Sequence, residues 1–115
     1  MDQLSLEQAD KIASGVVACI KRNRFAPITV NVVDSQGIPI VVKKMDGCSS
    51  VAIPEFSYAK AFTCVGMKCA SRGFRDKYTA DKDPAKFCQM QAMVTITGGK
   101  MAPFPGGVLM KSSSG

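Results

Sequence analysis

Residues 28–47 read ITVNVVDSQGIPIVVKKMDG, and this stretch restricts the fold more than any other part of the chain. Two aliphatic runs, 28–33 and 38–42, flank the tetrad Asp34-Ser35-Gln36-Gly37. β-Branched residues dominate both runs, and such side chains pack well on a pleated surface. Asp at the head of the tetrad and Gly at its end suit a type I turn followed by a left-handed glycine bulge. The stretch therefore predicts an antiparallel hairpin. By alternation Ile28, Val30 and Val32 share one face and Thr29, Asn31 and Val33 the other, with Ile38, Ile40 and Val42 as the matching apolar set of the second strand. A lone hairpin is only marginally stable in water, so other elements must cover or extend it.

A helix is well signalled before the hairpin. Ser5 with Gln8 three residues on forms a capping box, and Glu7 and Asp10 favour the positive helix end. Ala9, Ile12, Ala13, Val16, Val17 and Ile20 recur at helical spacing as one apolar stripe that suits the sheet. Cys19 falls beside it and is expected in the core. Lys21, Arg22 and Arg24 complement the other end, and Ala26-Pro27 stops the helix and launches the first strand.

After the hairpin, Asp46-Gly47 is a turn, Ser50 a candidate N-cap and Pro54 a first-turn proline of a second helix, VAIPEFSYAKAFTCVGM. Residues 68–83 are polar and lack sustained periodicity, which reads as a solvated loop or a short helix. Asp83-Pro84 starts another helix over 84–93. Val94-Thr95-Ile96 reads as a short strand, Thr97-Gly98-Gly99 as a turn, and the segment 101–110 as ending in one more strand, with Gly106-Gly107 bending into it.

Size and charge narrow the function. With 115 residues the chain has room for one modest core. No apolar run approaches the roughly 20 residues of a membrane helix. The start, Met1-Asp2-Gln3, lacks the basic and apolar blocks of a secretory signal, so the expected location is the cytoplasm or an organelle matrix. The net charge of +6 favours anions. In residues 68–83 the bases Lys68, Arg72, Arg75, Lys77 and Lys82 are interrupted by acids and offer only Phe74 and Tyr78 for stacking, which argues against nucleic acid as a partner. The chain has no histidine, which removes the commonest metal ligand and general base. Five cysteines, Cys19, Cys48, Cys64, Cys69 and Cys88, contain no C-x-x-C pair; reduced thiols are expected, and no metal site is assigned.

Three patterns in order, VNVVDSQGIPIVVKKMDG, SYAKAFTC and FPGGVLM, resemble the GlcG-like family of haem-binding or haem-degrading domains. That family also supplies the C-terminal domain of a propanediol-utilisation corrinoid adenosyltransferase. The resemblance runs from Leu4 through nearly the whole chain. It implies a profilin-like α+β domain spanning 1–115, an antiparallel sheet with helices packed on it. The expected order is helix-strand-strand-helix-(short helix)-helix-strand-strand. Relatives continue into a glycine-rich strand and a closing helix, whereas this sequence ends at Lys111-Ser112-Ser113-Ser114-Gly115, so the resemblance implies a domain lacking both.

The same resemblance sets the functional expectation: a small-ligand module for haem, another tetrapyrrole or a small organic acid. The alternative is a structural or assembly subunit that keeps the fold without a cofactor. An enzyme is the least supported class, since no nucleophile–base pair is visible, and no catalytic residue is assigned. Asp34, Asp46, Lys60, Gly106 and Gly107 match family positions, and turn chemistry accounts for the two aspartates. Lys60 lies inside an apolar helix segment, where a lysine must snorkel or find an acid. With histidine absent, Cys64, Met67 and Cys69 are the axial candidates for a haem iron. Lys60, Cys64, Met67, Gly106 and Gly107 are thus the candidate ligand-binding residues. The expected partner is a second copy or a complementing chain that supplies the missing strand.

Overall fold

A computed structural model of the chain describes residues 3–111. Met1-Asp2 and the Ser-rich end at 112–115 lie outside the described residues. The architecture is α+β, in the order α1 (Leu6–Arg22), β1 (Thr29–Val33), β2 (Pro39–Lys44), α2 (Pro54–Met67), α3 (Ser71–Thr79) and α4 (Pro84–Ile96). Among the described residues no helix is long and apolar enough to cross a membrane. The chain divides into two compact units, one reaching Tyr58 and the other covering Ala59–Lys111, with the boundary inside α2.

In the first unit the α1 start is the expected capping box. Ser5 Oγ accepts from Gln8 N–H at 3.1 Å and Gln8 Oε1 accepts from Ser5 N–H at 3.0 Å. At the other end Arg24 takes φ +56°, while Phe25 N–H donates to Ile20 C=O and Arg24 N–H to Lys21 C=O. This is a Schellman closure with arginine where glycine is usual. The predicted stripe packs on the hairpin: fully buried Ala9 and Ala13 lie against Val30 and Val32, with Ile12, Val16, Val17, Ile28, Ile40 and Val41 around them. Two alanines at the contact let the helix approach the sheet closely. At its rim Lys43 Nζ reaches Asp10 Oδ1 at 3.0 Å and Ser14 Oγ at 3.1 Å, joining α1 to β2. Cys19 is only half-buried.

The turn forms as the sequence demands. Asp34 Oδ1 accepts from Gln36 N–H at 2.8 Å and Ile38 N–H at 3.0 Å, and Gly37 takes φ +79°. One expectation about the strands fails. Val32 pairs with Val41 but Val33 pairs with Pro39, so Ile40 is the extra residue of a bulge. A bulge changes which face the following side chains occupy. Val41 joins the core instead of Val42, which pairs with Asn31 and is 45% exposed; Ile38 is 55% exposed. Met45 N–H donates to Ile28 C=O, so by alternation the peptide groups of Thr29 and Asn31 point away from β2. Among the described residues no strand pairs with that outer edge.

In the second unit Phe74, Met90 and Met101 form the core, flanked by Phe62, Met67, Tyr78 and Met93. The polar stretch 68–83 resolves into the nine-residue α3, whose inward residues are Ser71 and Phe74. Three further sequence expectations are corrected. Ser50 caps nothing: Pro54 itself is the first residue of α2, preceded by a turn in which Ala52 N–H donates to Ser49 C=O. Val94-Thr95-Ile96 is no strand but the last turn of α4. Its β-branched residues lower helix propensity by only tenths of a kcal/mol each, and the helix continues until Thr97, Gly98 (φ +67°) and Gly99 (φ +80°) end it. Residues 106–110 pair with no strand among the described residues; they belong to a strap over 101–111 without regular secondary structure beyond a turn at Pro105-Gly106.

Candidate functional site

The strap is fastened to α2 and α3 by two buried hydroxyls. Thr63 Oγ1 donates to Ala59 C=O at 2.7 Å and accepts from Ala102 N–H at 2.8 Å. Ser71 Oγ accepts from Gly107 N–H at 2.9 Å, and Ser71 N–H donates to Gly107 C=O at 3.2 Å. Both hydroxyl residues are fully buried. Buried polar groups of this kind are tolerated only when paired, and here the pairing replaces a β-ladder.

This fastening brings four of the five candidate residues together. Lys60 and Cys64 stand one turn apart on α2, and the glycine pair lies over them. A Cβ on Gly107 would stand 2.7 Å from both Cys64 Sγ and the Lys60 carbonyl oxygen, so only glycine fits there. A Cβ on Gly106 would stand 3.4 Å from Lys60 Nζ and Cδ, which places the lysine side chain along that glycine. Lys60 is half-buried, and among the described residues it has no carboxylate within ion-pair distance. Met67 falls elsewhere, packed against the Phe74–Met90–Met101 core. Thr63 and Ser71 were not singled out from sequence; a threonine amid the apolar residues of AKAFTC is the one signal that could have marked the first.

The thiols do not suit an axially held haem iron. Cys64 is 2% exposed beneath Gly107. Burial pushes its thiol above the ordinary value of 9.0, only partly opposed by the Ser71 backbone N–H. A metal ligand must be the thiolate and must be reachable. Met67 is committed to the core, and Cys69 is half-buried against Gly73. Among the described residues no three Cys, Asp or Glu side chains gather as a metal set.

Charge is unevenly distributed. Residues 59–111 hold nine of the fifteen basic residues and three of the nine acidic ones, so the whole surplus of +6 lies there. Those three acids are already engaged: Asp76 pairs with Arg75 at 2.9 Å, Asp81 with Lys86, and Asp83 caps α4 through Ala85 N–H at 2.9 Å.

A hairpin covered by an amphipathic helix, followed by a helical half that clamps a glycine strap over a lysine, defines a small α+β module with an anion-attracting second half. Comparison with protein families is specific about its kinship. The HbpS-like family of haem-degrading proteins matches residues 4–115, and the chain belongs to that family. No curated protein matches it.

Proposed function

We propose that the chain is a binding module for a small carboxylate-bearing molecule, held by Lys60 at the Gly106-Gly107 strap. The observation that carries this reading is a half-buried lysine, Lys60, without a carboxylate partner among the described residues. Burying a cation is costly unless an anion compensates, and an exogenous carboxylate supplies one. Gly106 carries no side chain where the Lys60 chain passes, 3.4 Å from the position a Cβ would take. Kinship with haem-related proteins supports the same chemistry, because haem and other tetrapyrroles present propionate carboxylates. On this reading such a ligand meets Lys60 through its acid groups, since Cys64 is buried and Met67 lies in the core.

Calorimetric titration with haemin, and separately with small mono- and dicarboxylates, distinguishes the sources. Binding of either kind that is weakened at least tenfold in Lys60→Met supports the reading. Absence of binding by both kinds, or affinity indifferent to Lys60→Met, overturns it. At a hundredfold excess over Kd a ligand should stabilise the fold by about 2.7 kcal/mol.

A second reading, a subunit whose role is assembly, is favoured by the outer edge of β1. Outward peptide groups with no strand beside them among the described residues are a template for another chain, whether a second copy or a complementing strand.

A further inference from the structure

The elbow between α3 and α4 forms an open, solvent-facing cavity of about 330 Å³, lined by none of the residues of the Lys60 site. Tyr78, Pro84 and Phe87 supply apolar walls, and Lys82, Asp83 and Cys88 also line it. The Tyr78 ring is fixed, edge-on to Phe74 at 5.5 Å and 70°, with the Lys77 ammonium 5.7 Å from its centroid. Phe87 is 49% exposed, a large aromatic surface left at the cavity wall.

Several polar groups around this elbow are engaged with one another. The Thr79 hydroxyl donates to Arg75 C=O at 2.8 Å, Asp83 Oδ1 accepts from Ala85 N–H, and Lys86 pairs with Asp81. Lys82, an exposed residue, lines the cavity and has no carboxylate partner among the described residues. Its backbone sits at φ +55°, a left-handed conformation uncommon for lysine, with its N–H closing the turn onto Thr79 C=O at 3.1 Å. An apolar cavity edged by one exposed cation suits a small molecule that carries both a ring and an acid group. A space of this size admits one or two fused rings.

We infer that the α3–α4 elbow binds a small aromatic carboxylate, its ring against Tyr78, Pro84 and Phe87 and its acid group paired with Lys82. Cys88, exposed and lining the cavity, is a built-in reporter. Alkylation of the intact protein by iodoacetamide, followed by peptide mass spectrometry, gives the rate at each thiol. Millimolar 2-naphthoate should slow Cys88 at least threefold and leave Cys19 and Cys48 unchanged, while neutral 2-naphthamide protects far less. Lys82→Gln should abolish the difference between the two compounds, and Phe87→Ala should weaken protection by both. An unchanged Cys88 rate, or equal protection by acid and amide in the unaltered protein, overturns the inference. So does protection that survives Lys82→Gln but is lost in Lys60→Met, which would put the acid at the other lysine.

Discussion

Gly107 and Gly15 respond in opposite ways to the same added methyl group. At Gly107 the new Cβ meets the Lys60 carbonyl oxygen and Cys64 Sγ at 2.7 Å, and the backbone atom cannot yield. Gly107→Ala should lower stability by about 1–3 kcal/mol in chemical denaturation. Gly15, inside α1, has nothing within 4 Å of the same position. Gly15→Ala should raise stability by about 0.5–1 kcal/mol, because alanine loses less freedom in a helix. Cys64 gives a pH signature. Its folded-state thiol titrates above the unfolded value of 9.0 because burial disfavours the thiolate. Folded and unfolded forms are therefore equally protonated below pH 9, and the unfolded form ionises first above it. Stability should hold up to about pH 9 and then fall more steeply than in Cys64→Ala, as urea midpoints at pH 8 and 10 would reveal. The sequence could not display this residue's burial, since any small apolar position accepts a cysteine.

At the scale of elements, what was legible had strictly local causes. Ser5 with Gln8, Asp34 with Gly37, and Asp83 with Pro84 each encode a helix start or a turn within four residues, and all three form as read. A local signal also failed at Ser50, and the other failures came where groups beyond the motif decided. Val94-Thr95-Ile96 has strand composition, yet it continues a helix already nucleated upstream. Residues 106–110 have strand composition too, but their entry point is held by Ser71 from a segment 36 residues earlier in the chain. Thr63 makes the companion bond across 39 residues. Thr63→Val keeps the shape and strands the buried Ala102 N–H, and it should cost about 1–3 kcal/mol. Hydrogen exchange gives the sharper check: the Ala102 amide, slow in the unaltered protein, should exchange markedly faster in the variant while the Ala9 amide in α1 stays protected.

For the whole molecule, the open question of sequence was what flanks β1. Four of its five residues are buried, as in an inner strand, yet β2 is its only strand neighbour among the described residues. We expect that edge to recruit another chain. Sedimentation equilibrium should then return a mass above the 12.2 kDa of one chain, and replacing Asn31 by proline should shift it toward that value, since proline cannot donate outward. A single 12.2 kDa species at micromolar concentration would remove the expectation. The site was legible in part: Lys60 stood out as a cation in apolar company and the glycine pair as a place of close approach, whereas the hydroxyl fastenings that unite them did not.

The lopsided charge has a further bearing on how this molecule meets other bodies. Up to Tyr58 acids and bases cancel, so that portion drifts past an anionic surface unattracted, and only the helical portion is pulled. Because salt damps such attraction beyond about 8 Å in physiological buffer, encounters with anions should be guided at close range and lose their orientation as ionic strength rises.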